Sequence, residues 1–252
     1  MNLEGKVAIV TGASRGIGKA IALALARERV NVIVTARSET EGRLPGTIHK
    51  TVEEIRTLGG NALAVKTDVT KEEEINEMVR VILERYGHVD VLVNNAGISI
   101  PGTLTEVTIK RWDLVMGVNL RGTFLCTRAV LPSMTERRSG SIINLSSILG
   151  TRVISGGIPY GVTKAAIERF TVGLAEEVRE YNVAVNALCP GYTDTEGLRM
   201  LSPNMDYSSL QRVEMWGRYA VFLARQDGSS LTGKCLTAEE LDDIISQRTS
   251  TV

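Results

Sequence analysis

The chain reads as a doubly wound α/β fold, a seven-stranded parallel sheet with helices on both faces, in a single domain over residues 1–252. Three observations predict it. Short apolar runs alternate with helical stretches along the whole length, the pattern of a parallel sheet covered on both sides. The first run, residues 7–10 (VAIV), breaks into a glycine turn and then a helix. A second run follows at residues 30–36 (VNVIVTA), which closes one strand, helix, strand unit in about 30 residues. No repeat, linker or low-complexity tract interrupts the sequence.

Composition narrows the function classes. Hydrophobic residues make up 43% and charged residues 23%, which suits a soluble domain with a full core. Twenty-nine basic residues balance 29 acidic ones, so no global field draws in nucleic acid or an anionic membrane, and neither is expected as a partner. The cysteines, Cys126, Cys189 and Cys235, are widely spaced, and His49 and His88 are the only histidines. No disulfide framework, zinc site or other metal is expected. The opening MNLEGKVAIV enters a strand within a few residues, without a basic region followed by a long apolar one. A cytoplasmic protein with no signal peptide or membrane span is expected.

Each element follows in order. After the strand at 7–10, Thr11 and Gly12 turn the chain, and a helix opens at Gly16, Ile17 and Gly18, continuing apolar at Ile21, Leu23 and Leu25. Such a turn favours glycine because a side chain would keep a pyrophosphate off the backbone, while the helix N-terminus offers free N–H groups and partial positive charge. Gly12, Ser14, Arg15, Gly16, Ile17 and Gly18 are therefore candidate binding residues. A purely structural turn would also use glycine, and the spacing is not the commoner G-x-G-x-x-G. The second strand ends Thr35, Ala36, Arg37. An acidic residue there would grip the ribose hydroxyl of NAD; Arg37, with Arg15 in the turn, instead suits the extra phosphate of NADP, although both arginines also fit plain surface charge.

Residues 38–46 are polar, contain Pro45-Gly46 and read as a surface loop; residues 51–58 read as a helix stopped by Gly59-Gly60. A strand then ends at Asp68, and Thr70-Lys71-Glu72-Glu73 reads as a capping box for a helix with Ile75, Met78, Val79 and Ile82 on one face. Asp68, with Val69 beside it, is a candidate adenine contact or a turn former. The strand VDVLVNN runs into Asn94-Asn95-Ala96-Gly97, at a strand's carboxyl end where open α/β sheets bind ligands, or in an ordinary turn. A long helix over about 112–134 contains Asn119, a poor helix former that calls for a reason unless it faces solvent. The strand SIINLSS (141–147) ends in Ser146 and Ser147, a helix runs from near Tyr160 to about Tyr181, and the strand VAVNALCPG follows. A mixed segment leads to a last helix in LQRVEMWGRYAVFLA and a last strand in TGKCLTA.

Taken together, Thr11-Gly12-x-x-x-Gly16-Ile17-Gly18, Asp68, Asn94-Asn95-Ala96-Gly97, Asn119, Ser147, Tyr160-x-x-x-Lys164 and Pro190-Gly191 with Thr195 beyond resemble the short-chain dehydrogenase/reductase family, over residues 5 to about 237. The resemblance implies a Rossmann-type domain and reversible hydride transfer between NADP(H) and a carbonyl or secondary alcohol. Lys164 lies four residues after Tyr160, so both project from one helix face, and an ammonium nearby would acidify a phenol whose ordinary pKa is about 10. By resemblance Tyr160 is the acid/base, Lys164 also binds the nicotinamide ribose, Ser147 holds the substrate oxygen, and Asn119 holds a water in a relay to Lys164. Asn95, Ala96 and Gly97 would lie along the cofactor, and Pro190, Gly191, Thr193 and Thr195 near the nicotinamide amide.

The resemblance further implies a mobile lid over residues 193–215 and a homodimer or homotetramer built on the helices at 112–134 and 160–181. Leu198, Met200, Leu201, Met205, Tyr207 and Met215, with Val153 and Ile154, suggest a partly apolar pocket for a small carbonyl or alcohol, or else the packing of the lid on the body. Two features depart from the family: the long loop over 38–50, and the tail at 238–252, where many relatives end in a short glycine-containing stretch. A non-catalytic nucleotide-binding regulator on the same fold would show a broken Ser, Tyr or Lys, and none is broken.

Overall fold

The structure, a computed structural model, describes residues 2–249. Seven strands, β1 (Val7–Thr11), β2 (Asn31–Ala36), β3 (Asn61–Lys66), β4 (Val91–Asn94), β5 (Gly140–Leu145), β6 (Val183–Leu188) and β7 (Cys235–Leu236), form one sheet in the order β3-β2-β1-β4-β5-β6-β7. Every neighbouring pair is parallel. The helices are α1 (Gly16–Arg27), α2 (Ile48–Thr57), α3 (Glu72–Tyr86), α4 (Ile109–Val115), α5 (Gly122–Glu136), α6 (Ile158–Val178), α7 (Glu196–Leu201), α8 (Val213–Ala224) and α9 (Ala238–Thr249).

Strand alternation builds two cores. Ala8, Val10, Val32, Val34, Val91 and Val93 face α1, α2, α8 and α9, whereas Val7, Ile9, Ile33 and Leu92 face α3, α5 and α6. Both faces of each strand are thus apolar, which is why the strands read as unbroken hydrophobic runs. The strand order reverses between β1 and β4, so the connections leaving these two strands part to opposite faces and open a crevice at their carboxyl ends.

A polar ladder crosses this apolar interior. Asn94 and Asn144 are register partners; Asn94 Nδ2 donates to Thr127 Oγ1 and Asn144 Oδ1, and Asn144 Nδ2 donates to Thr171 Oγ1, each at 2.9 Å. The ladder fixes α5 and α6 against the sheet. Truncating its centre, Asn144→Ala, leaves buried partners unsatisfied and is expected to cost about 2 kcal/mol, a fall in Tm of roughly 4–8 °C in a thermal melt.

Several boundaries differ from expectation. No capping box forms at Thr70: Lys71 is the N-cap of α3 without a side-chain bond, while Glu74 accepts from Asp68 N and Asp68 accepts from Thr70. The acceptor for Thr70 lies behind it rather than ahead, so the turn comes before the helix. α2 starts three residues before the expected 51, because Thr47 caps it through Lys50 N. β7 shrinks to two residues, and residues 238–249, expected only as a tail, form α9 with Leu241 in the core; residues 250–252 lie outside the described part. The expected long helix runs as α4, a π-helical segment (Met116–Arg121) and α5. By length and composition it could cross a membrane, but half of that apolar window is buried within the body, which accounts for its apolarity.

Candidate active site in the crevice at the sheet's switch point

Gly12 and Gly16 adopt φ of 66° and 56°, the left-handed region that glycine enters without strain. Glycine is also required by space. A Cβ at Gly12 would lie 2.9 Å from Ala96 Cα, and one at Gly18 would strike the Asn95 amide and come within 2.6 Å of Gly12 O. The two strand exits are stitched directly: Thr11 Oγ1 accepts from Asn95 N and Ala96 N at 3.0 Å, and Asn95 Nδ2 donates to Thr11 O at 2.8 Å. The side chain of Asn95 therefore braces the turn. Arg15, the N-cap of α1, makes no side-chain cap, so the first N–H groups of α1 keep their capacity to bind an anion.

Arg15 Nη2 donates to Ser38 Oγ at 3.1 Å and Gly46 O at 3.0 Å, while its Nε is buried without a partner among the described residues. Gly46, at φ 97°, presses on Ser14 O where a Cβ would not fit. Residues 38–46 thus fold back on the glycine turn, and Ser38 and Leu44 line the crevice; the surface loop expected here is a wall of the site. Arg37 is 57% exposed and 3.9 Å from Asp68 Oδ2. Burial pushes the Asp68 carboxyl up, but the Thr70 hydrogen bonds and the charges of Arg37 and Lys71 outweigh it and hold the pKa below its ordinary value. Asp68 forms the turn and faces the crevice at once.

At the other end lie Ser147, Tyr160 and Lys164. Ser147 Oγ donates to Pro190 O at 3.3 Å and accepts from Leu149 N at 3.2 Å, and of the side chains around the Tyr160 phenol it is the one that lowers its pKa. Lys164 is buried; its Nζ donates to Leu145 O at 2.6 Å and sits 5.2 Å above the Tyr160 ring. In the nucleotide-free chain Lys164 alone does not acidify the phenol. Burial pushes Tyr160 up to about 12, against a smaller lowering by Ser147, and pulls Lys164 down to about 8. Desolvation disfavours the charged form of each, raising the phenol and lowering the ammonium.

Asn119 is fully buried in the π-helical segment, so it does not face solvent. Its Nδ2 donates to Ile98 O at 2.9 Å and Thr163 Oγ1 at 3.1 Å, and its Oδ1 accepts from Ile98 N at 2.8 Å. It stands behind Gly97, where a Cβ would lie 3.5 Å from Asn119 Oδ1 and 3.7 Å from Lys164 Nζ. Thr193 Oγ1 accepts from Trp216 Nε1 at 3.1 Å, and Thr195 caps α7 by accepting from Leu198 N at 3.1 Å.

A single crevice of about 690 Å³ brings together the candidates Gly12, Ser14, Arg15, Gly16, Ile17, Gly18, Arg37, Asp68, Val69, Asn95, Ala96, Gly97, Ser147, Tyr160, Lys164, Pro190, Gly191, Thr193 and Thr195. Asn119 is not among its lining residues. Of the expected lid residues, Leu198, Leu201 and Met205 line the crevice with Ile154. Val153 is instead 94% exposed, Met215 packs against the core, and Tyr207 donates to Ser202 O at 2.6 Å, so these do not shape the pocket. Sequence reasoning missed Ser38, Leu44, Tyr192 and Glu196 in the wall. Pro45-Gly46 signals a loop there but not the direction in which it folds.

The sequence model of the short chain dehydrogenase family matches residues 6–206. The chain belongs to the short-chain dehydrogenase/reductase family. It is an oxidoreductase acting between CH–OH and C=O groups. It is 37% identical over 245 residues to the 3-oxoacyl-acyl-carrier-protein reductase FabG of Vibrio cholerae, covering 94% of this chain and 96% of that one. Among solved structures, a putative short-chain alcohol dehydrogenase from Sinorhizobium meliloti superposes with a TM-score of 0.84 at 34% identity, over 94% of this chain and 96% of the other. A gluconate 5-dehydrogenase from Burkholderia cenocepacia, solved in complex with NADP and tartrate, gives a TM-score of 0.84 at 29% identity over 94% of each chain.

Proposed function

We propose that this dehydrogenase/reductase is a cytoplasmic, NADP(H)-dependent enzyme that interconverts a carbonyl and a secondary alcohol with Ser147, Tyr160 and Lys164. The observation that carries the reading is the meeting of these three side chains at one end of the crevice whose other end holds Arg15 and Arg37. The residues fit a dinucleotide phosphate. The glycine turn admits close approach, the uncapped first turn of α1 offers N–H groups, and the orphan Nε of Arg15 calls for an acceptor. The NADP bound to the Burkholderia cenocepacia relative supports the same choice.

When bound, the nicotinamide supplies a hydride to the carbonyl carbon or removes one from the alcohol carbon. Tyr160 Oη gives its proton to the carbonyl oxygen in reduction and takes it back in oxidation. The Ser147 hydroxyl rotates its one proton from Pro190 O to that oxygen, stabilising the charge it gains. Lys164 stands over the phenol ring and favours the phenolate left by the transfer. A phenol at about 12 is protonated at neutral pH, the state a reductase needs. Asn119 positions the strand exit at Ile98 behind Lys164 and belongs to the proposed proton relay. Residues 193–215 are the lid, and its Leu198, Leu201 and Met205 favour a substrate with an apolar flank. Phe124 on α5, with Val162 and Val172 on α6, supplies an exposed apolar surface for a homodimer or homotetramer.

A carbonyl panel followed at the nicotinamide absorbance, with NADPH and NADH compared, tests the proposal. NADPH is expected to be preferred. Arg37→Ala should weaken NADPH about tenfold, roughly 1.4 kcal/mol, while NADH changes less than about twofold. Equal losses for both nucleotides would assign Arg37 to general surface charge and remove the argument for NADP.

A further inference from the structure

We propose that Glu168 is the positioning residue for the Ser147 hydroxyl, acting through Ser146 and the turn at Gly150; this rests on the reading of the site given above. Tyr160, Lys164 and Glu168 follow at intervals of four on α6, so all three lie along one helix face. Glu168 Oε1 accepts from Ser146 Oγ at 2.7 Å and from Cys189 Sγ at 3.6 Å. Ser146 immediately precedes Ser147, and Cys189 immediately precedes Pro190, whose carbonyl accepts from Ile148 N at 3.0 Å and Ser147 Oγ at 3.3 Å. One carboxylate therefore joins the exits of β5 and β6 between which the Ser147 hydroxyl is aimed.

The turn after Ser147 closes on the same group. A Cβ at Gly150 would overlap Glu168 Oε1 and lie 3.0 Å from its Cδ. A side chain at residue 150 would push the carboxylate, the movable end of Glu168, out of this place. The carboxylate is acceptor-only, and its bond with the buried Ser146 hydroxyl is of the strong, charge-assisted kind. Ser147 acts on charge that develops during reaction, so loosening its support lowers kcat. NADPH binding is spared, because the glycine turn and Arg15 are at the far end of the crevice.

The test compares kcat and KM on the best carbonyl of the panel. Glu168→Ala is expected to lower kcat by about tenfold to a hundredfold with KM for NADPH within about twofold. Glu168→Gln, whose amide oxygen still accepts from Ser146, should stay within about threefold of wild type. Gly150→Ala should lower kcat when Glu168 is present but cost under about threefold in the Glu168→Ala background, since its clash partner is gone. Should Glu168→Ala fail to fold, Gly150→Ala measured alone and with Glu168→Gln carries the test. Unchanged kcat in Glu168→Ala, equal loss in the Gln variant, or simple multiplication of the Gly150 and Glu168 effects would overturn the positioning role. A wild type that binds NADPH yet turns over nothing on the panel would overturn the reading of the site, and this inference with it.

Discussion

Tyr160→Phe is expected to lower kcat by about 10²–10⁴-fold, or roughly 2.7–5.5 kcal/mol of barrier, while the Kd for NADPH stays within about threefold. The substitution removes one oxygen and keeps the ring beneath Lys164, so packing and the cation–π contact at 5.2 Å persist. The end of the crevice at Arg15 and Arg37 is untouched, since none of its residues comes from the helix that carries Tyr160. What disappears is the proton that must reach the substrate oxygen. The same variant tests the electrostatics. With Tyr160 pushed up to about 12 by burial, the ultraviolet difference between wild type and Tyr160→Phe should show no phenolate below a pH of about 10 in the nucleotide-free protein. A variant as active as wild type would remove Tyr160 as the proton donor; a phenolate titrating near neutrality would show that Lys164 prevails over desolvation.

The second large effect lies at the opposite end of the sheet. Asp90 is fully buried, and its carboxylate accepts from Val7 N at 2.9 Å, Arg137 at 2.9 Å and Lys6 at 3.2 Å, with His88 Nε2 at 3.0 Å. Asp90→Ala strands the buried Val7 N–H and leaves the neighbouring basic side chains without their counter-charge. Those side chains are about a third exposed, so water relieves part of the cost, which is expected at about 3 kcal/mol and a fall in Tm of roughly 6–12 °C.

The acid limb of stability should change as well. Burial pushes Asp90 up, yet the Val7 N–H and Arg137 hydrogen bonds and the His88 and Lys6 charges outweigh it, and the folded pKa is lowered. The unfolded chain then binds more protons, so stability from Asp90 is complete above the unfolded value of about 3.9 and drains away as pH falls through the folded value. Urea midpoints measured from pH 6 downwards should fall less steeply in Asp90→Ala than in wild type. Parallel limbs would mean that the carboxyl titrates alike in folded and unfolded chains.

The Asp90 cluster, for all its expected effect, was invisible in the sequence, because its partners come from positions 6, 7, 88 and 137 and no local pattern links them. The same holds for Glu168, whose partners at 146 and 189 lie just past the ends of two separate strands. By contrast, the strands showed as apolar runs because a parallel sheet buries both faces. The glycine turn showed because Gly12 and Gly18 leave no room for a Cβ. Asn119 stood out as a poor helix former, and the π-helical backbone with its buried bonds to Ile98 supplies the reason. The loop over 38–46 is the surface loop its composition indicates, but its place in the crevice wall was not legible, because its contacts with Arg15 and Ser14 are long-range.

Sequence by itself determined the doubly wound sheet, the glycine turn and the spacing of Tyr160 and Lys164 on one helix face, since periodicity and steric demand are written into neighbouring residues. Only the tertiary structure decided which side of the balance the site occupies. Desolvation and hydrogen-bond partners are set by residues far apart in the chain, and these hold the phenol protonated, turn the Lys164 ammonium to the Leu145 carbonyl and commit Asn95 to bracing the turn.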